Sequence, residues 1–320
     1  MAQGEFSLIQ QYFTRPARHE INHSVLLGIG DDAAVTRLPA DQLLVQTIDT
    51  LIAGRHFPLS TTAADIAYKS LAVNVSDLAA MAAIPSSFLL SLTLPEVDHS
   101  FLLEFSDSLF DAADQFGIQL IGGDTCKGPL AITIQANGLA AVDAYVTRSG
   151  AQIGDHVMLS GKVGSAALGL ASLQGRVQLD HYTCQLCVEA LNRPQPRVDM
   201  IPLLRQYASS AIDISDGLAS DLGHILQQSR VGAVIEQSAL PVIDWISQQG
   251  AYPYALAGGD DYQIVFTVSP HNYASFMGEV IMNKLDITEI GKITQKGYFL
   301  LTDDGKKDLN TYQGFNHFGE

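Results

Sequence analysis

Short glycine-supported turns that carry aspartate recur along this chain and constrain its fold and chemistry more than any other feature. The first is Gly28–Ala34, GIGDDAA, in which two adjacent carboxylates follow two glycines. Glycine permits a tight turn, and neighbouring carboxylates repel each other unless they are solvated or hold cations. One such turn alone is most simply a solvated surface loop. Aspartates occur in comparable places at Asp49, Asp77, Asp124, Asp213 and Asp216.

Two of these aspartates are predicted at the ends of strands. The apolar run Leu43–Ile48 predicts a strand that delivers Asp49 at its carboxyl end. The run Ile118–Ile121 predicts a second strand, which leads into a turn at Gly122–Thr125. Chemistry in layered folds often lies at strand ends, although either aspartate could also be an ordinary turn residue.

The other aspartates are predicted next to helices or within them. Asp213 and Asp216 lie between a strand-like run and a helix, which Ser215 or Asp216 is predicted to cap. Asp77 lies inside an alanine-rich helical segment of about residues 63–83. A carboxylate among small apolar residues is costly to bury, so we expect a partner or a metal near Asp77.

Length and composition predict a globular protein of two domains. A chain of 320 residues can form two cores, and 47% hydrophobic residues with 27 glycines fit an α/β or α+β protein. We place the boundary near residue 150, which gives domains 1–150 and 151–320.

The charge balance excludes some partners. There are 34 acidic and 18 basic residues, and the net charge of −16 argues against nucleic acid or an anionic membrane as a partner. No apolar run is long enough to span a bilayer, and no signal-peptide core follows the first residues, so we expect a cytoplasmic protein.

Two other motifs have simpler explanations than a functional site. Cys184 and Cys187 form one C-x-x-C on a predicted helix without a second ligand pair, which favours reduced thiols over a metal or redox site. The segment Ser160–Gly164 resembles a P-loop, but His156 and Val163 stand where that motif needs Gly and Ser or Thr.

Several acidic turns with few lysines nearby are typical of a magnesium-dependent phosphate enzyme. Carboxylates, hydroxyls and carbonyls are the ligands that Mg²⁺ prefers, and reactions that bring phosphates together need cations to offset the repulsion between anions. Scattered structural aspartates are the alternative explanation for the same pattern.

A series of motifs, in order along nearly the whole chain, resembles the thiamine-monophosphate kinase family. They are Gly4–Phe6, Gly28–Asp32, Asp49–Leu51 with His56–Phe57, Asn74–Met81, Gly122–Thr125, Thr147–Gly150, Asp213–Gly217 and Gly314–Phe318. The resemblance implies the two-domain fold of the aminoimidazole ribonucleotide synthetase-like ATP enzymes. It includes an N-terminal α+β domain that binds ATP and Mg²⁺ and whose strands complete a barrel across a homodimer, and a C-terminal α/β domain.

The resemblance implies ATP-dependent phosphorylation of thiamine monophosphate to thiamine diphosphate, the last step of its synthesis, with several Mg²⁺ ions in one cleft. The positions that match the family's metal ligands are Asp32, Thr47, Ile48, Asp49, Asp77, Asp124, Asp213 and Asp216. At Ile48 only the backbone carbonyl can serve, because the family often has Thr there.

The resemblance also assigns contacts to the two substrates. Gly123, Asp124, Arg148 and Ser215 match nucleotide contacts, and His56, Asp260 and Phe315 match contacts to thiamine monophosphate. Asp260 stands where the family commonly has Glu. Three of these residues also have a simpler explanation: His56 as an ordinary histidine, Arg148 as part of a surface ion pair, and Phe315 as an aromatic anchor of the chain end.

The chemistry of the acceptor predicts direct in-line transfer without a phosphoenzyme. A phosphate monoester is largely ionised at pH 7, because its second pKa is about 6, so it needs no protein base. No nucleophile–base pair is evident in the sequence, and we assign no catalytic protein residue. A cation or arginine contact with phosphate addresses the remaining charge repulsion.

Three alternatives remain. A selenophosphate synthetase-like enzyme of the same fold uses a reactive Cys near its N-terminus, whereas the first cysteine here is Cys126. A hydrogenase-maturation ATPase uses a C-terminal cysteine, and this chain ends in FNHFGE. An acidic protein that binds cations without catalysis is the third, and calorimetry with and without nucleotide would distinguish it.

Overall fold

The computed structural model describes residues 5–15 and 24–314, which form two compact units. The first unit holds the described residues up to Ala79 together with Ala83–Ala144. The second holds Ala80–Ala82 and the described residues from Tyr145 onward. Within the described ranges, no helix combines the length and apolar character needed to cross a membrane.

The first unit is an antiparallel hairpin and a four-stranded sheet with helices. Its elements are α1 Glu5–Leu8, which continues as a π-helical turn Ile9–Phe13, then β1 Val25–Leu27, β2 Val35–Thr36, β3 Gln42–Ile52, α2 Ala63–Ala80, β4 Ile84–Leu94, α3 His99–Phe116, β5 Gln119–Lys127 and β6 Ala131–Ala141. Strands β1 and β2 form the hairpin, and the sheet has the order β3-β6-β4-β5. Only the β4–β5 pair in this sheet is parallel.

Local sequence signals define helix α3. The Asp98 carboxylate accepts hydrogen bonds from the N–H groups of Ser100 and Phe101 at 2.8 and 3.2 Å, which satisfies donors that the first turn leaves unpaired. Gly117 ends the helix in a left-handed conformation with φ of 65°, which glycine adopts without steric cost.

One predicted strand end and one predicted turn are wrong, because strand pairing continues through both. Strand β3 pairs with β6 over its full length to Ile52, so Asp49 lies inside the strand rather than at its end. Strand β5 likewise continues to Lys127, with Gly123 opposite Leu90. A Cβ atom at Gly123 would lie 1.8 Å from the Leu90 carbonyl oxygen, so this glycine permits a close approach of two strands rather than a turn.

The second unit is a seven-stranded sheet with helices. Its elements are β7 His156–Ser160, α4 Ser165–Leu173, α5 His181–Asn192, α6 Ile201–Tyr207, β8 Ala208–Asp213, α7 Leu218–Ser229, β9 Gly232–Glu236, α8 Asp244–Gln249, α9 Pro253–Ala257, β10 Ile264–Val268, α10 Pro270–Met282, β11 Ile287–Thr294, β12 Tyr298–Thr302 and β13 Gly305–Asp308. The sheet order is β13-β12-β9-β11-β7-β10-β8, and β12–β9 is its parallel pair.

Strand β10 shows how this unit buries its sheet on both faces. All five of its residues are buried. Val265 belongs to a core with residues of α7 and α9, whereas the next residue, Phe266, packs edge-on against Phe276 of α10 with ring centroids 5.7 Å apart. At the start of β10, Ile264 pairs with Asp213, and its N–H donates to the Ser160 hydroxyl at 2.8 Å. The loops after β7 and β8 and before β10 therefore meet at one end of the sheet.

Candidate active site

Asp49 and Asp77 form a carboxyl pair in the first unit. Asp49 comes from β3 and Asp77 from α2, and a hydrogen bond joins their carboxyl groups. The Thr47 hydroxyl donates to Asp77 Oδ2 at 2.5 Å. The expectation that a helical carboxylate at Asp77 needs a partner is confirmed, and its partners are two of the other predicted metal ligands.

The environment of this pair favours a cation. Burial, followed by the charge of Asp77 and the hydrogen bond with it, raises the pKa of Asp49 to about 7. Two carboxylates this close together gain from a cation, which removes their mutual repulsion. Two carboxylates and a hydroxyl match the oxygen ligands that Mg²⁺ accepts, so these residues fit the expected metal.

Ile48 lies between two of these ligands in the strand, but its side chain lies on the opposite face of the sheet. Side chains alternate along β3, so Ile48 points away from the face that carries Thr47 and Asp49, and it is 63% exposed. A ligand role for its backbone carbonyl stays a prediction.

The Gly28–Ala34 loop connects β1 to β2 and lines a cavity of about 1220 Å³ in the first unit. Asp32 lies in this loop and Gly123 and Asp124 lie in β5, and all three contribute to the same cavity. The Asp31 carboxylate accepts the N–H of Asp32 at 2.9 Å, so Asp31 supports the turn locally. The structure thus brings Asp32 together with the predicted nucleotide contacts of this unit.

His56 has a hydrogen-bond arrangement that fixes its tautomer. The Ile52 N–H donates to His56 Nδ1 at 2.9 Å. Nδ1 must therefore be the unprotonated acceptor, and the proton of the neutral ring is at Nε2. The buried Lys69 of α2 places Nζ 3.5 Å from the His56 carbonyl oxygen, which ties this segment to the helix that carries Asp77.

In the second unit, Asp213, Ser215 and Asp216 lie between β8 and α7. Asp213 is buried at the end of β8, as predicted. The prediction that Ser215 or Asp216 caps the helix is wrong. Gly217 is the capping position, without a side-chain bond, and Asp221 in the first turn accepts the N–H groups of residues 215–217 instead.

The loop before β10 holds Asp260 in a strained conformation. Asp260 and Tyr262 both have positive φ, 69° and 49°, which costs of order 1–3 kcal/mol each for residues other than glycine. The Asp260 N–H donates to the Ser215 carbonyl at 2.9 Å, and the Tyr262 hydroxyl donates to Asp260 Oδ1 at 3.2 Å. The structure therefore joins this predicted substrate contact directly to the β8–α7 loop.

Arg148 lies beside β8. The Ala211 N–H donates to the Thr147 carbonyl at 3.0 Å, and the Arg148 carbonyl accepts the Ser229 hydroxyl at 3.3 Å. These bonds anchor the backbone of an exposed arginine next to the strand that ends at Asp213.

The P-loop-like segment Ser160–Gly164 leads from β7 into α4, but its helix terminus is already occupied. The Gly164 N–H donates to both oxygens of the buried Asp261 at 2.9 and 2.8 Å. Burial raises the pKa of Asp261 well above its usual range, while backbone N–H groups of Gly164 and Ala166 oppose the shift. Asp261 therefore occupies the Gly164 N–H, which agrees with the departure of this segment from the P-loop motif.

Cys184 and Cys187 are free thiols on α5. Burial, followed by the charges of Cys184 and Asp180, raises the pKa of Cys187 to about 11. A protonated, buried thiol is a poor nucleophile and metal ligand, which agrees with the structural explanation of this motif.

The predicted site residues thus form separate groups. Within residues 5–15 and 24–314, no three His, Cys, Asp or Glu side chains gather closely enough to hold a metal. The structure pairs Asp49 with Asp77, gives Asp32 and Asp124 one cavity, and holds Asp213 and Asp216 in one loop. Convergence of the six aspartates in one cleft stays a prediction. Phe315 lies outside the described residues.

Sequence reasoning missed Asp221, Asp261 and Tyr262, which hold the loops of the second unit. Asp221 carries a usable signal, because an acidic residue in the first helical turn is favoured by the helix dipole. Asp261 was visible only as the second of two adjacent aspartates, and nothing in the sequence indicates its contact with Gly164, 97 residues away.

Comparison with known proteins gives one consistent result. Family models for AIR synthase related protein match residues 30–140, as the N-terminal domain, and 152–303, as the C-terminal domain. The thiamine-monophosphate kinase of Escherichia coli K12 is 44% identical over 327 residues, which cover 99% of each chain.

Two solved structures agree. Thiamine-monophosphate kinase from Stenotrophomonas maltophilia K279a has a TM-score of 0.81 at 40% identity and covers 87% of this chain and 91% of its own. AaThiL complexed with AMPPCP and TMP has a TM-score of 0.77 at 28% identity and covers 98% of this chain and 96% of its own. With both family models matched and the similarity extending over the full length, the chain belongs to the thiamine-monophosphate kinase family and is a phosphotransferase of the two-domain AIR synthase-like fold.

Proposed function

We propose that this enzyme transfers the γ-phosphoryl group of ATP to the phosphate of thiamine monophosphate and releases thiamine diphosphate and ADP. A phosphate oxygen of thiamine monophosphate forms the new bond to the γ-phosphorus, and the bond between that phosphorus and the β–γ bridging oxygen breaks. The bridging electrons leave with ADP. The acceptor phosphate has a second pKa of about 6 and is already ionised at pH 7, so no protein base has to remove a proton.

The observation that carries this proposal is the 44% identity, over 99% of both chains, to a thiamine-monophosphate kinase. It is supported by the similarity to a structure complexed with AMPPCP and TMP. The acidic loops of both units add chemical support, since they supply oxygen ligands beside few cationic side chains.

We assign the metal-binding role to the oxygens of Asp32, Thr47, Ile48, Asp49, Asp77, Asp124, Asp213 and Asp216. The closeness of Asp49 and Asp77 supports the assignment, because a cation would offset the repulsion between the two carboxylates. Bound Mg²⁺ would supply neutralisation of phosphate charge. Thr47 orients Asp77 through its hydroxyl, and the hairpin loop carries Asp32 into the cavity that Asp124 also lines.

Further residues orient the two substrates. Gly123, Asp124, Arg148 and Ser215 are assigned to the nucleotide, and His56, Asp260 and Phe315 to thiamine monophosphate. The His56 ring offers an N–H at Nε2 because Ile52 occupies Nδ1, which suits a phosphate oxygen or a ring nitrogen as acceptor. Arg148 can add a bidentate phosphate contact.

Three wider statements belong to the same proposal. Residues 1–150 act as the domain that binds ATP and Mg²⁺ and forms the dimer, and residues 151–320 act as the α/β domain. The enzyme is a homodimer whose first-unit sheets complete a barrel. It works in the cytoplasm.

The decisive experiment is incubation of the enzyme with Mg²⁺, ATP and thiamine monophosphate while thiamine diphosphate and ADP are quantified. We expect both products in equal amounts, and a reaction without enzyme gives the background. Absence of thiamine diphosphate above that background would contradict the proposed reaction.

A second experiment tests direct transfer. The enzyme is exposed to γ-labelled ATP without thiamine monophosphate and then denatured. We expect no label on the protein, whereas a stable label would reveal a phosphoenzyme.

A further inference from the structure

Asp221 occupies a place in the β8–α7 loop that resembles an anion-binding site. It lies in the first turn of α7 and is 2% exposed. Its Oδ2 atom accepts the backbone N–H groups of Ser215, Asp216 and Gly217 at 3.1, 3.0 and 3.0 Å. Three successive N–H groups at a helix N-terminus commonly hold a phosphate or another anion. Here a carboxylate of the same chain takes that position.

This arrangement determines what the loop can offer a ligand. The N–H groups of residues 215–217 are directed at Asp221, and the other side-chain oxygens of this loop belong to Asp213, Ser215 and Asp216. The Ser215 carbonyl is also taken, by the N–H of Asp260 at 2.9 Å. Carboxylate oxygens attract cations and repel phosphate, whereas the Ser215 hydroxyl can donate a hydrogen bond to phosphate. A polyphosphate that approaches the two carboxylates of this loop therefore gains from a cation between them.

Helix α4 of the same unit has a similar arrangement, in which a carboxylate of the chain accepts an N–H at the helix start. Asp261 fills the N-terminus of α4 through the Gly164 N–H, so both helix starts that face these loops are occupied by internal carboxylates. Gly217 supports the arrangement, because its φ is 124° and a Cβ there would lie 2.9 Å from the Ala257 carbonyl carbon. The loop is thus held by Asp221 on one side and by close backbone packing on the other.

We propose that Asp221 is a positioning residue that makes nucleotide binding depend on Mg²⁺. It acts by closing the N–H cradle of residues 215–217 to phosphate while it holds Ser215 and Asp216 in place. The inference rests on the proposed function, which assigns these residues to nucleotide and metal. The proposed effect depends on the position of the Asp221 oxygen rather than on its charge, because that oxygen accepts three hydrogen bonds from the loop.

The first test uses the unmodified enzyme and hydrogen exchange of the peptide that contains residues 215–217. We expect these amides to be protected without any ligand, because Asp221 already accepts them, and to gain no protection when AMPPCP is added in EDTA. Rapid exchange in the free enzyme that AMPPCP alone suppresses would overturn the inference, because the N–H groups would then be binding the nucleotide.

The second test is calorimetric titration of AMPPCP into wild type and Asp221→Ala, with Mg²⁺ and with EDTA. Loss of the three bonds frees the N–H groups and loosens the loop. We expect the affinity in Mg²⁺ to fall about 10–100-fold, as for the loss of a residue that orients metal ligands. We also compare the ratio of the AMPPCP affinity in Mg²⁺ to the affinity in EDTA. We expect this ratio to be about tenfold smaller in Asp221→Ala than in wild type.

Two further variants complete the second test. Asp244→Ala removes an exposed first-turn aspartate from α8 and should match wild type. Asp221→Asn keeps an oxygen acceptor but removes the negative charge. It should retain most of the magnesium dependence if the position of the acceptor, and not its charge, is what matters. An Asp221→Ala enzyme that melts like wild type and keeps the full magnesium factor would overturn the inference.

The two hypotheses can fail separately. Wild type that binds Mg²⁺ and AMPPCP but forms no thiamine diphosphate contradicts the proposed reaction and leaves the role of Asp221 in nucleotide binding standing. Wild type that forms the product, with unchanged magnesium dependence in Asp221→Ala, contradicts the role of Asp221 alone.

Discussion

At the scale of single residues, Asp77 has the clearest chemical reason for its position. It lies within an alanine-rich helix, and its contacts include the Thr47 hydroxyl and the Asp49 carboxyl group. Burial, followed by the charge of Asp77, raises the pKa of Asp49 to about 7. An acid pair of this kind destabilises the folded protein when both groups are charged. A cation between the two carboxylates would remove this repulsion, which is the reason for the proposed metal role.

Asp77→Asn should therefore separate catalysis from stability. The amide oxygen still accepts the Thr47 hydroxyl and one charge disappears, so we expect the melting temperature without metal to be unchanged or higher. Turnover should fall by at least about 100-fold, since a group that organises transition-state charge is lost. The control is Asp41→Asn, an exposed carboxylate just before the same strand, which should leave both measurements unchanged. Full activity in Asp77→Asn would remove Asp77 from the metal ligands.

At the scale of elements, helices α4 and α5 pack unusually closely at one glycine. A Cβ atom at Gly169 would lie 2.3 Å from the Cys187 carbonyl oxygen, so only glycine lets these two helices approach this far. Gly278 in α10 differs, because a Cβ there would meet no atom within 4 Å. The same substitution at these two helical positions should therefore have opposite effects.

We expect Gly169→Ala to lower the free energy of unfolding by about 1–3 kcal/mol through overpacking. Gly278→Ala should raise it by about 0.5–1 kcal/mol, because alanine loses less conformational freedom in a helix. Urea denaturation followed by circular dichroism measures both. Equal effects of the two variants would show that the close contact at Gly169 relaxes freely.

A second element-scale feature joins β7, β11 and α10. Glu289 lies 2.8 Å from His156 Nδ1 and accepts the Tyr273 hydroxyl at 2.7 Å, and the His156 and Tyr273 rings stack at 3.7 Å. Burial raises the pKa of Glu289, but the hydrogen bonds from Tyr273 and His156 and the charges of His156 and Lys292 outweigh it, so the pKa lies below 4.5. The folded protein thus holds this proton more weakly than the unfolded chain does.

This lowered pKa predicts a pH dependence of stability. The contribution of Glu289 is present above the unfolded pKa of 4.5 and is lost as pH falls through the lower, folded pKa. Melting temperatures measured between about pH 3 and pH 6 should therefore decline less steeply in Glu289→Gln than in wild type. Glu236→Gln, at an exposed position in β9, is the control. Parallel curves for wild type and Glu289→Gln would contradict the assigned cause.

At the scale of the whole molecule, the first unit leaves apolar side chains of its sheet uncovered in the single chain. Leu44 of β3 is 47% exposed and Leu89 of β4 is 37% exposed, and both line the large cavity. Exposed apolar side chains on a sheet are a common feature of interfaces. It agrees with the proposed homodimer.

Leu44→Lys should therefore produce a monomer if this face forms the proposed dimer, because a charge in an apolar interface has to be desolvated. Light scattering measures the mass. Leu59→Lys, at an 83% exposed loop position outside the sheet, should leave the mass unchanged. A wild type that is itself monomeric would contradict the proposed dimer.

What the sequence determined by itself was the distribution of acidic residues and several elements. The strand that contains Leu43–Ile48, the strand predicted from Ile118–Ile121 and the helical segment of about residues 63–83 depend on neighbours a few residues away, so residue type and spacing predict them. Resemblance across the full chain added the family, which individual turns are too common to define.

Only the tertiary structure decided where several carboxylates lie and which groups they contact. Asp49 and Asp124 lie inside strands because β6 and β4 pair through them, and pairing partners are distant in sequence. Asp221 and Asp261 received their roles for the same reason, since each fills a helix start whose geometry exists only after the loops have packed. Local sequence sets the charge of a side chain, whereas long-range packing sets which N–H groups or carboxylates it meets.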